Sequence, residues 1–135
     1  MTTVLFACVQ NAGRSQMAAA LFNRAADPAR ARAISAGTRP AAAVHPEVAA
    51  TLADLGLDVS GVRPQRLTDA LASQAQVLVT MGCGDACPIV PGARTVDWQI
   101  ADPHGQPPDA VRAIRDHIAR LVDALVDELG VGRGT

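Results

Sequence analysis

The chain has no lysine and no tyrosine, and aromatic residues are only 2% of its 135 positions. A core must therefore be built from Ala, Val, Leu and Ile, with Phe6, Phe22 and Trp98 as its few large rings. No surplus of positive charge exists: the twelve basic residues, all arginine, face thirteen acids for a formal net charge of −1. That balance excludes the basic footprint of a nucleic-acid binder. No apolar run is long enough to span a bilayer, so no membrane partner is expected. Met1-Thr2-Thr3 leads straight into an apolar run without a basic segment or cleavage pattern, so no signal peptide is read. A cytoplasmic, reducing setting is the expectation, and three cysteines there read as catalytic or metal-binding before they read as structural bridges.

The hydrophobic fraction of 49% against 19% charged residues indicates a globular chain, and its length fits one domain over residues 1–135. Val4–Cys8 reads as a first buried strand, Arg32–Ala36 as a second, Gln76–Met81 as a third and Arg94–Trp98 as a fourth. Helices are read at Ser15–Ala26, from His45-Pro46-Glu47 to Leu55 with Gly56 as stop, at Leu67–Ala75, and from Pro107 to Leu129. The last keeps helical spacing through Val111, Ile114, Ile118, Leu121, Val122, Leu125 and Leu129. Strands alternating with helices predict an α/β fold, a single four-stranded parallel sheet with helices on both faces. Residues from about 130 to 135, including Gly132-Arg133-Gly134-Thr135, read as a frayed tail.

Cys8-Val9-Gln10-Asn11-Ala12-Gly13-Arg14-Ser15 is the most informative segment. A strand delivers a cysteine into a loop that runs into a helix N-terminus, where backbone N–H groups and the helix dipole favour an anion. Arg14 adds a planar charged fork suited to two oxygens of a tetrahedral oxyanion. Helix N-termini and nearby arginines also favour the thiolate form of a cysteine seated among them. Ser15 is placed to hydrogen-bond the Cys8 sulfur. Asn11 tolerates left-handed backbone and braces the loop, and Gly13 permits close backbone approach. The plain alternative is a buried cysteine ending a strand, with a surface arginine after it. The strand–loop–helix context argues against that.

Met81-Gly82-Cys83-Gly84-Asp85-Ala86-Cys87-Pro88 is the second unusual segment. Incidental thiols are one reading. A zinc site is another, but a closed structural site needs four ligands. His45, His104 and His117 lack tight ligand spacing with the cysteines and read as helix-start, loop or helix-face residues, so no metal ligand set is expected. The third reading is a thiol relay: Cys83 attacks Cys8, and Cys87 then attacks Cys83. Asp102-Pro103 follows the fourth strand. Asp-Pro is a common turn, yet its place beyond a strand end puts the Asp102 carboxyl near the Cys8 loop as a proton donor.

On these residues the chain resembles the low-molecular-weight protein tyrosine phosphatase superfamily, and within it the arsenate reductases. Cys8–Ser15 matches the C-x5-R-S phosphate loop with its internal asparagine, Asp102-Pro103 matches the acid in order, and Cys83 and Cys87 match the extra redox cysteines. The Gln16-Met17-Ala18 continuation is also typical of the reductases. The resemblance implies a mechanism. Val9, Gln10, Asn11, Ala12, Gly13 and Arg14 hold arsenate, for which phosphate or sulfate competes. Cys8 attacks it, Ser15 assists, and Asp102 protonates the departing oxygen. Cys83 and Cys87 carry the oxidation to a disulfide that thioredoxin reduces. No cofactor is implied, and the chain is expected to act as a monomer. Some relatives hold a potassium ion through an acidic residue early in the first helix; Ala18-Ala19-Ala20 stands there, so no such ion is expected. A tyrosine phosphatase, a mycothiol-coupled arsenate reductase and a three-thiol arsenite sensor remain as alternatives.

Overall fold

The computed structural model describes residues 1–82 and 91–133. Strands β1 (Thr2–Cys8), β2 (Ala31–Gly37), β3 (Val77–Thr80) and β4 (Arg94–Asp97) form one parallel sheet in the order β2-β1-β3-β4. Around it lie α1 (Arg14–Ala25), α2 (Pro46–Ala53), α3 (Asp69–Ala72) and α4 (Pro108–Leu129). The expected α/β architecture is present.

Strand periodicity sets the two layers. Successive side chains of β1 point to opposite faces. Val4, Phe6 and Cys8 join a cluster with Met17 and Phe22 of α1 and with Ile118 and Val122 of α4. Leu5 and Ala7 join Leu78, Ala36 and Ala72 on the other face, against α3. Phe6 meets Phe22 edge-on at 6.0 Å between centroids and Trp98 at 5.6 Å. The scarce aromatics are thus spent on one knot, and a buried ring of this size contributes about 1.5–3 kcal/mol by burial.

Two sequence expectations need correction. The helix read at Leu67–Ala75 is only Asp69–Ala72, capped by Thr68 Oγ1 accepting from Leu71 N. Leu67 is taken elsewhere: its N–H donates to the Gly37 carbonyl at 2.8 Å, and Arg66 bridges Gly37. The tail does not fray where described. Val131 is buried, Gly132 bridges Ala26, and Arg133 donates to the Arg24 carbonyl at 2.7 Å. Arg133 therefore satisfies an end carbonyl of α1, a task for which a C-terminal arginine suits.

The strand order positions a site. The chain leaves β1 for β2 on one side and later returns to β3 on the other, so β1 sits at the switch point. A crevice opens there beyond the carboxyl ends of the strands. Cys8, the last residue of β1, pairs with Gly37, and Ala7 pairs with Thr80. The segments after β1, β2 and β4 meet at that edge, with Gly82 after β3 against Arg14.

Candidate active site

The loop from Cys8 to Gly13 has its carbonyls tied down one by one. Those of Cys8, Val9, Gln10 and Ala12 accept from the N–H groups of Thr38, Arg39, Ala41 and His45 at 2.8–3.1 Å. The Asn11 carbonyl accepts from Gln16 Nε2 at 2.9 Å, and that of Gly13 from Met17 N at 3.0 Å. All peptide bonds among the described residues are trans. In a trans peptide the N–H points opposite to the carbonyl beside it. Drawing the Cys8, Val9, Gln10 and Ala12 carbonyls toward the segment after β2 therefore turns the N–H groups of Val9, Gln10, Asn11 and Gly13 the other way. Asn11 holds φ +50°, the left-handed turn expected of it. α1 starts without a side-chain cap and without an acid in its first turn, which leaves its N-terminus suited to an anion.

On that side lies an open cavity of about 200 Å³ lined by Cys8, Val9, Gln10, Gly13, Arg14, His45 and Asp102. Asn11 and Ala12, expected to bind substrate, are buried and do not line it.

The hydrogen bonds fix the direction of a short relay to the sulfur. A backbone N–H can only donate, and that of Gln65 reaches Asn11 Oδ1 at 2.9 Å. Asn11 therefore turns its amide nitrogen to Ser15, and Nδ2 donates to Ser15 Oγ at 2.8 Å. Ser15 Oγ lies 2.8 Å from Cys8 Sγ, and its own proton is free to be donated there when the sulfur is a thiolate. The thiolate form of Cys8 is thus supplied with a hydroxyl donor inside a buried network. Gln16 Nε2 adds a 3.2 Å contact to Asn11 Oδ1. The Asn11 side-chain oxygen thus accepts from two amide donors.

Arg14 is half-buried, and its Nη1 donates to the Ile100 carbonyl at 3.2 Å. Gly82, with φ +92°, lies against the guanidinium: a Cβ there would stand 2.7 Å from Nη1. Gly37 gives the loop similar room, since its Cβ would stand 2.5 Å from the Val9 carbonyl oxygen. Asp102 is exposed at the rim, its Oδ1 accepting from His104 N at 3.0 Å. Pro103 is buried and approaches Gly13, whose Cβ would meet Pro103 Cγ at 3.1 Å. Cys83 and Cys87 lie outside the described residues.

Sequence reasoning missed His45. Its place before Pro46-Glu47 marks it as a helix-start residue, which it is, being the N-cap of α2. It is also a wall of the cavity, with Nε2 3.0 Å from Gln10 Oε1 and its ring stacked on His104. Burial, then the neighbouring His104, lowers its pKa below 6.5 against the opposing pull of Glu47 and Asp102. The available signal was topological: the segment after β2 must pass the end of β1, so a polar residue closing that segment lands on the Cys8 loop.

The model of the low molecular weight phosphotyrosine protein phosphatase family matches residues 3–133. A putative arsenate reductase of Halobacterium salinarum is 37% identical over 130 residues, covering 91% of this chain and 89% of that protein. A glutaredoxin arsenate reductase of Synechocystis is 29% identical, covering 96% of this chain and 99% of the relative. Among solved structures, a thioredoxin-dependent arsenate reductase of Corynebacterium glutamicum superposes with a TM-score of 0.85 at 35% identity. The match covers 96% of this chain and 62% of that one, so this chain spans under two thirds of that protein's length. Loop, sheet order and relatives agree, and the chain belongs to the low molecular weight phosphotyrosine protein phosphatase family.

Proposed function

We infer that this protein is an arsenate reductase that draws its two electrons from its own thiols. The observation that carries the reading is the Cys8 sulfur. It sits at a cavity beside Arg14, receives the Ser15 hydroxyl, and lies at the centre of a loop whose carbonyls are all drawn away.

Arsenate binds against the loop N–H groups and the Arg14 guanidinium. These donors match a tetrahedral oxyanion and gain strength in the developing negative charge. Cys8 thiolate attacks arsenic, and Asp102, at the rim, gives its proton to the departing oxygen. Cys83 thiolate then attacks the Cys8 sulfur. The sulfur–arsenic electron pair stays with arsenic, which leaves as arsenite, and a Cys8–Cys83 disulfide forms. Cys87 attacks Cys83 and releases Cys8 as thiolate. The remaining Cys83–Cys87 disulfide is reduced by thioredoxin. Two thiols are oxidised for each arsenic reduced from the pentavalent to the trivalent state.

Relatives named as arsenate reductases support this over a phosphatase that would use Cys8, Arg14 and Asp102 alone. One is named as thioredoxin-dependent and one as a glutaredoxin enzyme, so the reductant is tested directly. Reduced protein is incubated with arsenate and no added reductant, and its disulfides are mapped by mass spectrometry. The expected product is a Cys83–Cys87 bond, which thioredoxin reopens. Multiple turnover by a Cys87→Ser variant with mycothiol would assign the reductant to a small thiol. Absence of arsenate-dependent oxidation, with phosphate-ester turnover indifferent to Cys83→Ser, would replace the reductase by a phosphatase.

A further inference from the structure

Two histidines that are far apart in sequence meet at the rim of the cavity. His45 closes the segment after β2, and His104 lies in the loop after Asp102-Pro103. Their rings stack at 4.1 Å between centroids, 28° from parallel. Glu47, in the first turn of α2, places Oε1 3.4 Å from His104 Nδ1. One ligating atom from each of His45, Glu47 and His104 lies within 4.8 Å of the other two. Ligand spacing in the sequence does not announce this cluster, because the start of α2 supplies His45 and Glu47 while the distant loop after β4 supplies His104.

The geometry points to a site for a divalent transition ion, zinc foremost, held by His45, Glu47 and His104 at the mouth of the Cys8 cavity. Two imidazoles and one carboxylate are a donor set zinc uses where it keeps an open coordination position. Magnesium and calcium demand oxygen donors and are disfavoured by the two nitrogens.

Zinc ligands at 2.0–2.2 Å in tetrahedral array stand about 3.3–3.5 Å apart. The cluster must therefore contract by about 1.5 Å at most. Its members are built for that. His104 is 59% exposed and turns its ring out of the stack at little cost, while Glu47 is a long side chain with 28% exposure. His45 is held by its contact with Gln10 Oε1. Donation from Nε2 to that oxygen leaves Nδ1 as the acceptor nitrogen. An imidazole whose other nitrogen is engaged in this manner is the usual state of a metal ligand. The wall residue His45 would bring the ion's open position beside the cavity. This inference concerns a metal and stands apart from the arsenate reading.

The test is an imidazole-resolved NMR titration of the full, EDTA-treated chain with Zn²⁺. The His45 and His104 ring signals should move together and saturate at one equivalent, with His117 unmoved as the internal control. A second measurement removes thiol competition: calorimetric titration of a chain with Cys8, Cys83 and Cys87 replaced by serine. One equivalent should bind, and the affinity should fall at least tenfold in His104→Ala and in Glu47→Gln. His104 and Glu47 are not core residues, so neither change threatens the fold. Zinc shifts confined to cysteine neighbours, or stoichiometric binding untouched by both substitutions, would overturn the site.

Discussion

The Ser15 hydroxyl lies 2.8 Å from the Cys8 sulfur, and toward a thiolate it is the hydroxyl that donates. Asn11 Nδ2 donates to the Ser15 oxygen and leaves the hydroxyl proton available for that sulfur. A hydrogen bond to a charged acceptor is worth about 1.5–3 kcal/mol. Removing it with Ser15→Ala should slow the first chemical step by about tenfold or more. Single-turnover formation of arsenite measures this directly. The chain should still fold, with the buried Asn11 Nδ2 losing its acceptor at a cost of about 1–3 kcal/mol. An unaltered rate in Ser15→Ala would mean that the hydroxyl does not serve the nucleophile.

Gly37 is the loop's spacer. A methyl there would stand 2.5 Å from the Val9 carbonyl oxygen and 2.8 Å from Asn11 N, both backbone atoms. Neither can swing aside as a side-chain tip would. Gly37→Ala should therefore displace the loop, cost about 1–3 kcal/mol of stability as overpacking does, and abolish phosphate binding by calorimetry. Denaturant unfolding gives the first number. A variant that binds phosphate with unchanged affinity contradicts the crowding argument.

Gly82 performs a different service, for Arg14. Here the obstructed atom is the far end of a long side chain, so Gly82→Ala does not break the fold by collision. It pushes Arg14 off the Ile100 carbonyl, and its φ of +92° adds about 1–3 kcal/mol of backbone strain. The expected signature is weaker oxyanion binding, by about tenfold, with Cys8 still alkylated by iodoacetamide. Equal phosphate affinity in the two proteins would show that Arg14 has room to spare.

Much of this was legible in the sequence because it is local. The β1 strand, the loop and the start of α1 are consecutive, so Cys8, Asn11, Gly13, Arg14 and Ser15 fall together by chain order alone. The contact from Ser15 to the sulfur, and the left-handed Asn11, followed from residue chemistry alone. What was not legible depends on contacts across the fold. The Leu67 N–H chose the Gly37 carbonyl over its helix, Arg133 found the end of α1, and His45 met His104 through two loops that no local pattern connects. Burial of Asn11 and Ala12 was hidden for a similar reason. Their burial depends on partners from separate elements, Gln65 and Gln16 on Asn11 and His45 on Ala12.

The direction of the relay gives its sharpest test at Asn11. Its oxygen serves two donors, Gln65 N and Gln16 Nε2, while its nitrogen serves Ser15. Asn11→Asp keeps the shape and keeps both acceptor contacts, so the loop should hold. It removes the one donor. The Ser15 proton then turns to the new carboxylate and abandons the sulfur, and a negative charge arrives near the thiolate. Arsenite formation should slow at least as much as in Ser15→Ala. The two changes act on one chain of hydrogen bonds, so their costs should not add. Asn11→Asp should cost clearly less in a Ser15→Ala background than in the parent chain, because no hydroxyl remains to be diverted. Full additivity across that double-mutant cycle would mean that Asn11 and Ser15 act on Cys8 independently, and that the donor order deduced from Gln65 is wrong.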